Sequence, residues 1–222
     1  MTIAENLASV QDLIAAACRR AGRSPDEVTL VGVSKGFSAE VAAEAFAAGL
    51  RDLGENRVQE AAPKIETLGA QGMRPRWHLV GHLQTNKAKT AVALFAIIQS
   101  VDSVRLAQAL SRRSREVVPI LLEVNIAQEA SKFGFAPQEV AAALPAISAL
   151  SNLDVRGLMT VAPQAVDPGA VRPAFRCLRE LRDELGLREL SMGMTGDFEV
   201  AIEEGATIVR VGRAIFGPRP EA

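Results

Sequence analysis

Eight times along this chain a short apolar or β-branched run is followed by a turn and then by a helical or loop segment, and that alternation constrains the fold more than anything else in the sequence. The runs are 28–34, 51–53, 76–80, 96–101, 117–126, 153–160, 187–192 and 206–211. Strands alternating with helices specify a parallel sheet, and eight units allow the sheet to close on itself. The expectation is a (β/α)8 TIM barrel forming a single domain over residues 1–222, compact for that fold. A doubly wound open sheet is the competing architecture. An additional N-terminal helix precedes the first strand within residues 1–22, where Leu7, Val10, Leu13, Ile14 and Ala17 recur at helical spacing. Residues 218–222 read as a loose tail.

Composition excludes several functions. Lys and Arg number 25 against 26 for Asp and Glu, a net charge of −1, so neither a nucleic-acid coat nor a polybasic membrane anchor is expected. No run is long enough to cross a bilayer, and the first residues lack the basic-then-apolar order of a signal peptide. Cys18 and Cys177 are far apart and lack metal-like or redox-like spacing, which fits a reducing, cytoplasmic setting.

In a barrel of this kind the chemistry sits at the carboxyl ends of the strands. Those ends carry Lys35, Asn56, His82, Asn125, Met159, Thr195 and Gly212. The stretches Ser191-Met192-Gly193-Met194-Thr195-Gly196-Asp197 and Val209-Arg210-Val211-Gly212-Arg213 follow one pattern, an apolar run entering a glycine turn and a helix start. Glycines let backbone N–H groups approach a ligand, so two such turns after strands seven and eight suggest a phosphate cradle. Two ordinary tight turns are the plainer alternative. Lys35 directly follows a buried strand. Desolvation lowers a lysine's pKa and frees its amine for Schiff-base chemistry with a phosphorylated aldehyde, whereas a lysine snorkelling to the rim would have no such role. His78 and His82 fall in a strand and the loop after it, with no Cys, His or carboxylate cluster beside them, so no metal site is expected. Glu203-Glu204, Arg112-Arg113 and Arg19-Arg20 read as solvated helix faces.

Longer blocks are more specific. Gly32-Val33-Ser34-Lys35, Gly54-Glu55-Asn56-Arg57-Val58-Gln59-Glu60, the run from Trp77 to Lys87, Arg156-Gly157-Leu158-Met159-Thr160 and the closing stretch from Ser191 to Gly217 resemble, in order, blocks of the pyridoxal-5′-phosphate homeostasis protein family. That resemblance implies a single-domain barrel of the alanine-racemase type that binds pyridoxal 5′-phosphate (PLP) as an aldimine and serves vitamin B6 homeostasis. By position it implies Lys35 as the PLP lysine and Asn56 near the ring. It places Gly193, Met194, Thr195, Gly212 and Arg213 at the phosphate, and Arg210 facing the pyridine nitrogen. The chain departs from the family at Gly36-Phe37-Ser38, where a second lysine is frequent. It also has Thr195 for a serine, and Arg213 for a small hydroxyl residue.

Carbanion chemistry on PLP depends on the group at the ring nitrogen, and a permanently charged Arg210 there disfavours ring protonation. Racemisation also needs a proton donor opposite the lysine, a tyrosine in alanine racemases, and this chain contains no tyrosine. The expectation is therefore a monomeric PLP carrier without catalytic residues, whose partners are PLP and PLP-dependent apo-enzymes. The alternatives are a weak racemase or related amino-acid enzyme using His82 or another rim residue as second base, or a cofactor-free barrel enzyme acting on a phosphosugar.

Overall fold

The computed structural model describes residues 1–127, 129, 133–162 and 167–219. Its strands are β1 (Thr29–Val33), β2 (Asp52–Glu55), β3 (Arg76–Leu79), β4 (Ile97–Val101), β5 (Val118–Glu123), β6 (Leu153–Met159), β7 (Glu189–Ser191) and β8 (Ile208–Val211). They form a closed parallel barrel in sequence order. Closure is made by β1 against β8, with Thr29, Leu30, Val31 and Gly32 level with Ile208, Val209, Arg210 and Val211. The (β/α)8 barrel is thus the fold, and the open sheet is not.

The helices are α1 (Ile3–Arg20), α2 (Ala39–Ala47), α3 (Val58–Ala70), α4 (Ala88–Leu94), α5 (Val104–Arg113), α6 (Pro137–Ser148), α7 (Arg172–Glu184), α8 (Phe198–Glu203) and α9 (Arg213–Phe216). β5 is shorter than the apolar run 117–126 predicts. Past Glu123 the Val124 N–H still reaches the Met159 carbonyl of β6 at 2.8 Å, but the chain then turns to pair with Phe135: the Phe135 N–H donates to the Glu123 carbonyl at 2.8 Å and the Asn125 N–H to the Phe135 carbonyl at 2.9 Å.

α1 begins at a reciprocal cap in which Thr2 N–H donates to the Glu5 carboxylate at 2.8 Å and Glu5 N–H donates to the Thr2 hydroxyl at 3.2 Å. It buries Leu7, Val10, Ile14, Ala17 and Cys18, and each of the three larger aliphatic side chains contributes about 1.5–3 kcal/mol. Leu13, predicted on that face, is 41% exposed, because the residue beside Ile14 is turned by about 100° from it. The helix packs on α8 and α9 beside the β8–β1 seam. Asn6 Nδ2 donates to the Ile215 carbonyl at 2.9 Å, and Arg23 Nη1 donates to the carbonyls of Ile202 and Ala206, each at 2.9 Å.

Glu203-Glu204 is not the solvated face that the sequence suggests. Glu204 is 4% exposed and accepts ion pairs from Arg172, Arg176 and Arg179, while Glu203 binds Arg20 and Arg172. Burial pushes the Glu204 carboxyl up, but the Arg176 and Arg172 hydrogen bonds outweigh it and hold the carboxyl below its ordinary range. Two acidic residues at the end of α8 thereby tie α1 and α7 to the segment that precedes β8.

Inside the barrel the side chains of Val31, Ile97, Leu121, Met159 and Ile208 form a small apolar cluster, separate from the larger core between strands and helices. The lumen is not purely apolar. Asp52, His78, Gln99, Ser191 and Arg210 are buried there too, each at 5% exposure or less.

Candidate functional site

The carboxyl ends of the strands open into a cavity of ≈ 860 Å³. Lys35 after β1, Asn56 after β2, Met194 and Thr195 after β7, Arg210 on β8, and Gly212 and Arg213 after β8 all line it. Barrel closure makes this possible, since the seam that sets Val31 level with Arg210 brings the first strand's end beside the last.

Of the residues that the resemblance places at the cofactor, Gly193 alone is not on the cavity wall but behind it. Its φ of 91° suits glycine, and a Cβ there would fall 2.5 Å from Ala201 Cβ, so it shapes the turn carrying Met194 and Thr195. At Gly212 a Cβ would stand 3.2 Å from the Val33 carbonyl oxygen, and its absence lets the β8 turn lie close against β1.

Burial lowers the pKa of the Lys35 amine and the nearby Arg219 guanidinium lowers it further, while Glu60 and Glu55 pull the other way. Beneath Lys35 lies a buried polar cluster. Lys64 Nζ donates to the Ser34 carbonyl at 2.7 Å and to Glu55 Oε1 at 2.6 Å, and Ser34 Oγ donates to the same oxygen at 2.7 Å. The backbone just before Lys35 is therefore held from α3 and β2 together.

Arg210 lies under the cavity. Its Nη1 donates to Ser191 Oγ and its Nη2 to the Thr160 carbonyl at 2.7 Å. Burial pushes the guanidinium down to about 10, with Glu123 and Asp197 opposing, so the side chain keeps its charge at neutral pH. Burial in turn pushes the Glu123 carboxyl up to about 7, helped by Asp102 and opposed by Arg210.

Two charged side chains of the lining, Asp197 and Arg219, are not among the predicted site residues. Asp197 accepts the Met194 N–H through Oδ1 and faces the cavity. Burial raises its carboxyl pKa, and the Met194 hydrogen bond and Arg210 oppose the rise. The Met194 amide is thus already engaged, whereas Thr195 and Gly196 donate to no backbone carbonyl among the described residues. Arg219, from the segment predicted to be a loose tail, also lines the cavity together with Pro218, and residues 220–222 lie outside the described residues. The three-residue spacing from Met194 to Asp197 was a usable signal for the first; nothing local marks the second.

The remaining strand-end residues lie elsewhere. His82 Nδ1 is 3.0 Å from Asp102 Oδ2, and its ring stacks on Phe133 with centroids 3.6 Å apart. Met159 is buried in the lumen, and Asn125 Nδ2 donates to the Glu129 carbonyl at 2.8 Å. His78 points into the lumen beside Asp52 and Gln99. No group of three or more His, Cys, Asp or Glu residues that could hold a metal ion occurs among the described residues. Nor is any described helix long and apolar enough to cross a membrane.

A closed barrel with one lysine and two glycine turns at its mouth defines a class, and the comparisons agree with it. The family model described as alanine racemase, N-terminal domain, matches residues 6–220. The chain is 44% identical to the pyridoxal phosphate homeostasis protein of Aquifex aeolicus, covering 99% of both chains, and 41% identical to that of Escherichia coli K12, covering 98% of this chain and 97% of that one. It belongs to the pyridoxal phosphate homeostasis protein family. Among solved structures, PipY of Synechococcus elongatus with PLP bound matches with a TM-score of 0.85 at 38% identity, over 97% of this chain and all of that one. Alanine racemase of Corynebacterium glutamicum matches at TM-score 0.72 and 21% identity, over 99% of this chain and 62% of that one, and shares the fold.

Proposed function

We propose that this chain binds PLP covalently through Lys35 and serves as a carrier in PLP homeostasis. The observation that carries the reading is that the half-buried Lys35 amine and the two glycine turns open on one cavity. The residues present suit the cofactor. A lysine whose pKa is lowered keeps part of its amine neutral, and the amides of Thr195 and Gly196, the Thr195 hydroxyl and Arg213 offer donors for a phosphate. Val33, Val80 and Val161 give the cavity apolar sides. When bound, PLP supplies an aldehyde carbon that accepts an amine and a ring that can withdraw electrons from it. Names of relatives that cover the whole chain, and a PLP-bound relative with the same fold, support the same reading.

Arg210 argues for carrying over catalysis. Its donors are fixed by Ser191 and Thr160 and its charge persists at neutral pH, so beside a ring nitrogen it opposes protonation there. His82, the residue named first as a second base, is committed to Asp102 and Phe133 and is not part of the cavity lining. We infer a cytoplasmic location, supported by the two free cysteines, buried Cys18 and exposed Cys177. PLP-dependent apo-enzymes are the inferred recipients of the cofactor. We infer a monomer, which is sufficient for a cavity whose described lining comes from one chain.

The deciding experiment titrates the purified protein with PLP and, separately, with pyridoxal. A saturable visible band with PLP, and binding weakened at least tenfold without the phosphate, are the expected results. No saturable band with PLP would overturn the proposal.

The neighbouring charge gives a second test. Arg219→Ala removes a cation that lowers the Lys35 pKa. The amine then titrates higher, so less of it is neutral at a given pH. The rate of PLP capture should fall at neutral pH, and its pH profile should move to higher pH in stopped-flow measurements; a profile that stays put would show that the charge is not felt at Lys35.

A further inference from the structure

Five buried side chains from five strands are joined end to end. Arg210 on β8 donates from Nη1 to Ser191 Oγ on β7. Ser191 Oγ donates to Gln99 Oε1 on β4 at 2.6 Å, and Gln99 Nε2 lies 2.8 Å from His78 Nδ1 on β3. His78 Nε2 lies 2.8 Å from Asp52 Oδ1 on β2. The link from Gln99 to Ser191 joins β4 to β7, which are not neighbours in the barrel, so it crosses the lumen. At the far end Asp52 and His78 line a second cavity of ≈ 250 Å³ at the amino-terminal face of the barrel.

Each group can be assigned a direction from its chemistry. A guanidinium only donates and a carboxylate only accepts. With Arg210 donating to Ser191, the serine hydroxyl is free to donate to the Gln99 carbonyl, which turns the Gln99 NH₂ towards His78. His78 Nδ1 must then accept, so its proton sits on Nε2 and is donated to Asp52. The order is donor to acceptor at every step, from a buried cation to a buried anion. Such aligned bonds polarise one another, and a buried polar group left without its partner is costly.

We propose that Asp52, His78, Gln99 and Ser191 act as one directional chain through the barrel lumen that positions the Arg210 guanidinium under the cofactor cavity and couples it to the opposite face. They are positioning residues. Only the consequence for bound cofactor rests on the PLP reading; the state of His78 in the cofactor-free protein does not.

The chain has two histidines, which makes the test direct. Protein labelled with ¹⁵N-histidine and stripped of bound aldehyde with hydroxylamine is examined by NMR, with His82→Asn used to assign His78. His78 is expected as the Nε2–H tautomer in the wild-type protein. In Ser191→Ala, Gln99 loses the group that fixes its amide, and the His78 ring nitrogens should shift towards a mixture of tautomers; Ser191→Thr, which keeps the hydroxyl, should restore the wild-type pattern. Gln99→Met, close in shape but without the amide, should shift His78 as well, so the result does not hang on one variant. With PLP added, Ser191→Ala should bind roughly tenfold more weakly and show a displaced visible band, while keeping its Lys35 linkage. An Nδ1–H tautomer in the wild type, or unchanged His78 signals in both Ser191→Ala and Gln99→Met, would overturn the proposal. Failure of the wild type to bind PLP would sink the functional reading and leave the His78 result to decide this one.

Discussion

Lys35→Ala is expected to abolish the visible band given by PLP with the wild-type protein, and to remove the covalent adduct that borohydride traps on the Lys35 peptide. The variant should still bind PLP, since the Thr195, Gly196 and Arg213 donors remain on the cavity wall. Its affinity should fall on the order of 100-fold, which corresponds to about 2.7 kcal/mol. Absorbance titration measures the loss, and peptide mass spectrometry of the reduced wild-type protein locates the linkage. An adduct at another lysine, or an undiminished band in the variant, would refute the assignment. Lys64 is the nearest competitor in the sequence of the site, but its ammonium is 2.6 Å from Glu55 and buried with it, so it does not present a free amine.

Lys64→Met should be the most destabilising single change in the site's support. It leaves the Glu55 carboxylate at 0% exposure with the Ser34 hydroxyl as its remaining partner, and Glu55 Oε2 already lacks a hydrogen-bond partner among the described residues. Breaking a buried pair from one side costs about 3–5 kcal/mol, because the surviving charge is stranded away from water. For a domain of this size that lowers the melting temperature by roughly 6–20 °C. Replacing both partners, Glu55→Met with Lys64→Met, removes the stranded charge and should recover most of the loss. Thermal melts followed by circular dichroism distinguish the cases. A double variant as unstable as the single one would mean that packing, not the uncompensated carboxylate, sets the cost.

The local parts of the molecule were legible. Short apolar runs alternating with helical segments mark a parallel barrel, so all eight strands could be placed to within a few residues, and Lys35 followed from its position after the first. The Met194–Asp197 and Gly212–Arg213 turns were readable for the same reason, since glycine marks a backbone that comes close to something. Misreadings came where a side chain's partner is distant in sequence. Glu203-Glu204 resembles any charged helix end until α7 brings Arg172, Arg176 and Arg179 against it. Arg219 looked like part of a tail, yet it stands close enough to Lys35 to depress the amine.

What the sequence determined by itself was the alternation that closes the barrel and the residues delivered to its mouth, because hydrophobic period and turn chemistry act over a few residues. What the tertiary structure decided was the interior: that Lys64 braces the backbone beneath Lys35, and that Arg210, Ser191, Gln99, His78 and Asp52 meet. Along their own strands these five are polar residues among apolar ones, with nothing local to say that they pair. Burial forces each to find a partner, and barrel closure alone brings strands two, three, four, seven and eight near enough to supply it.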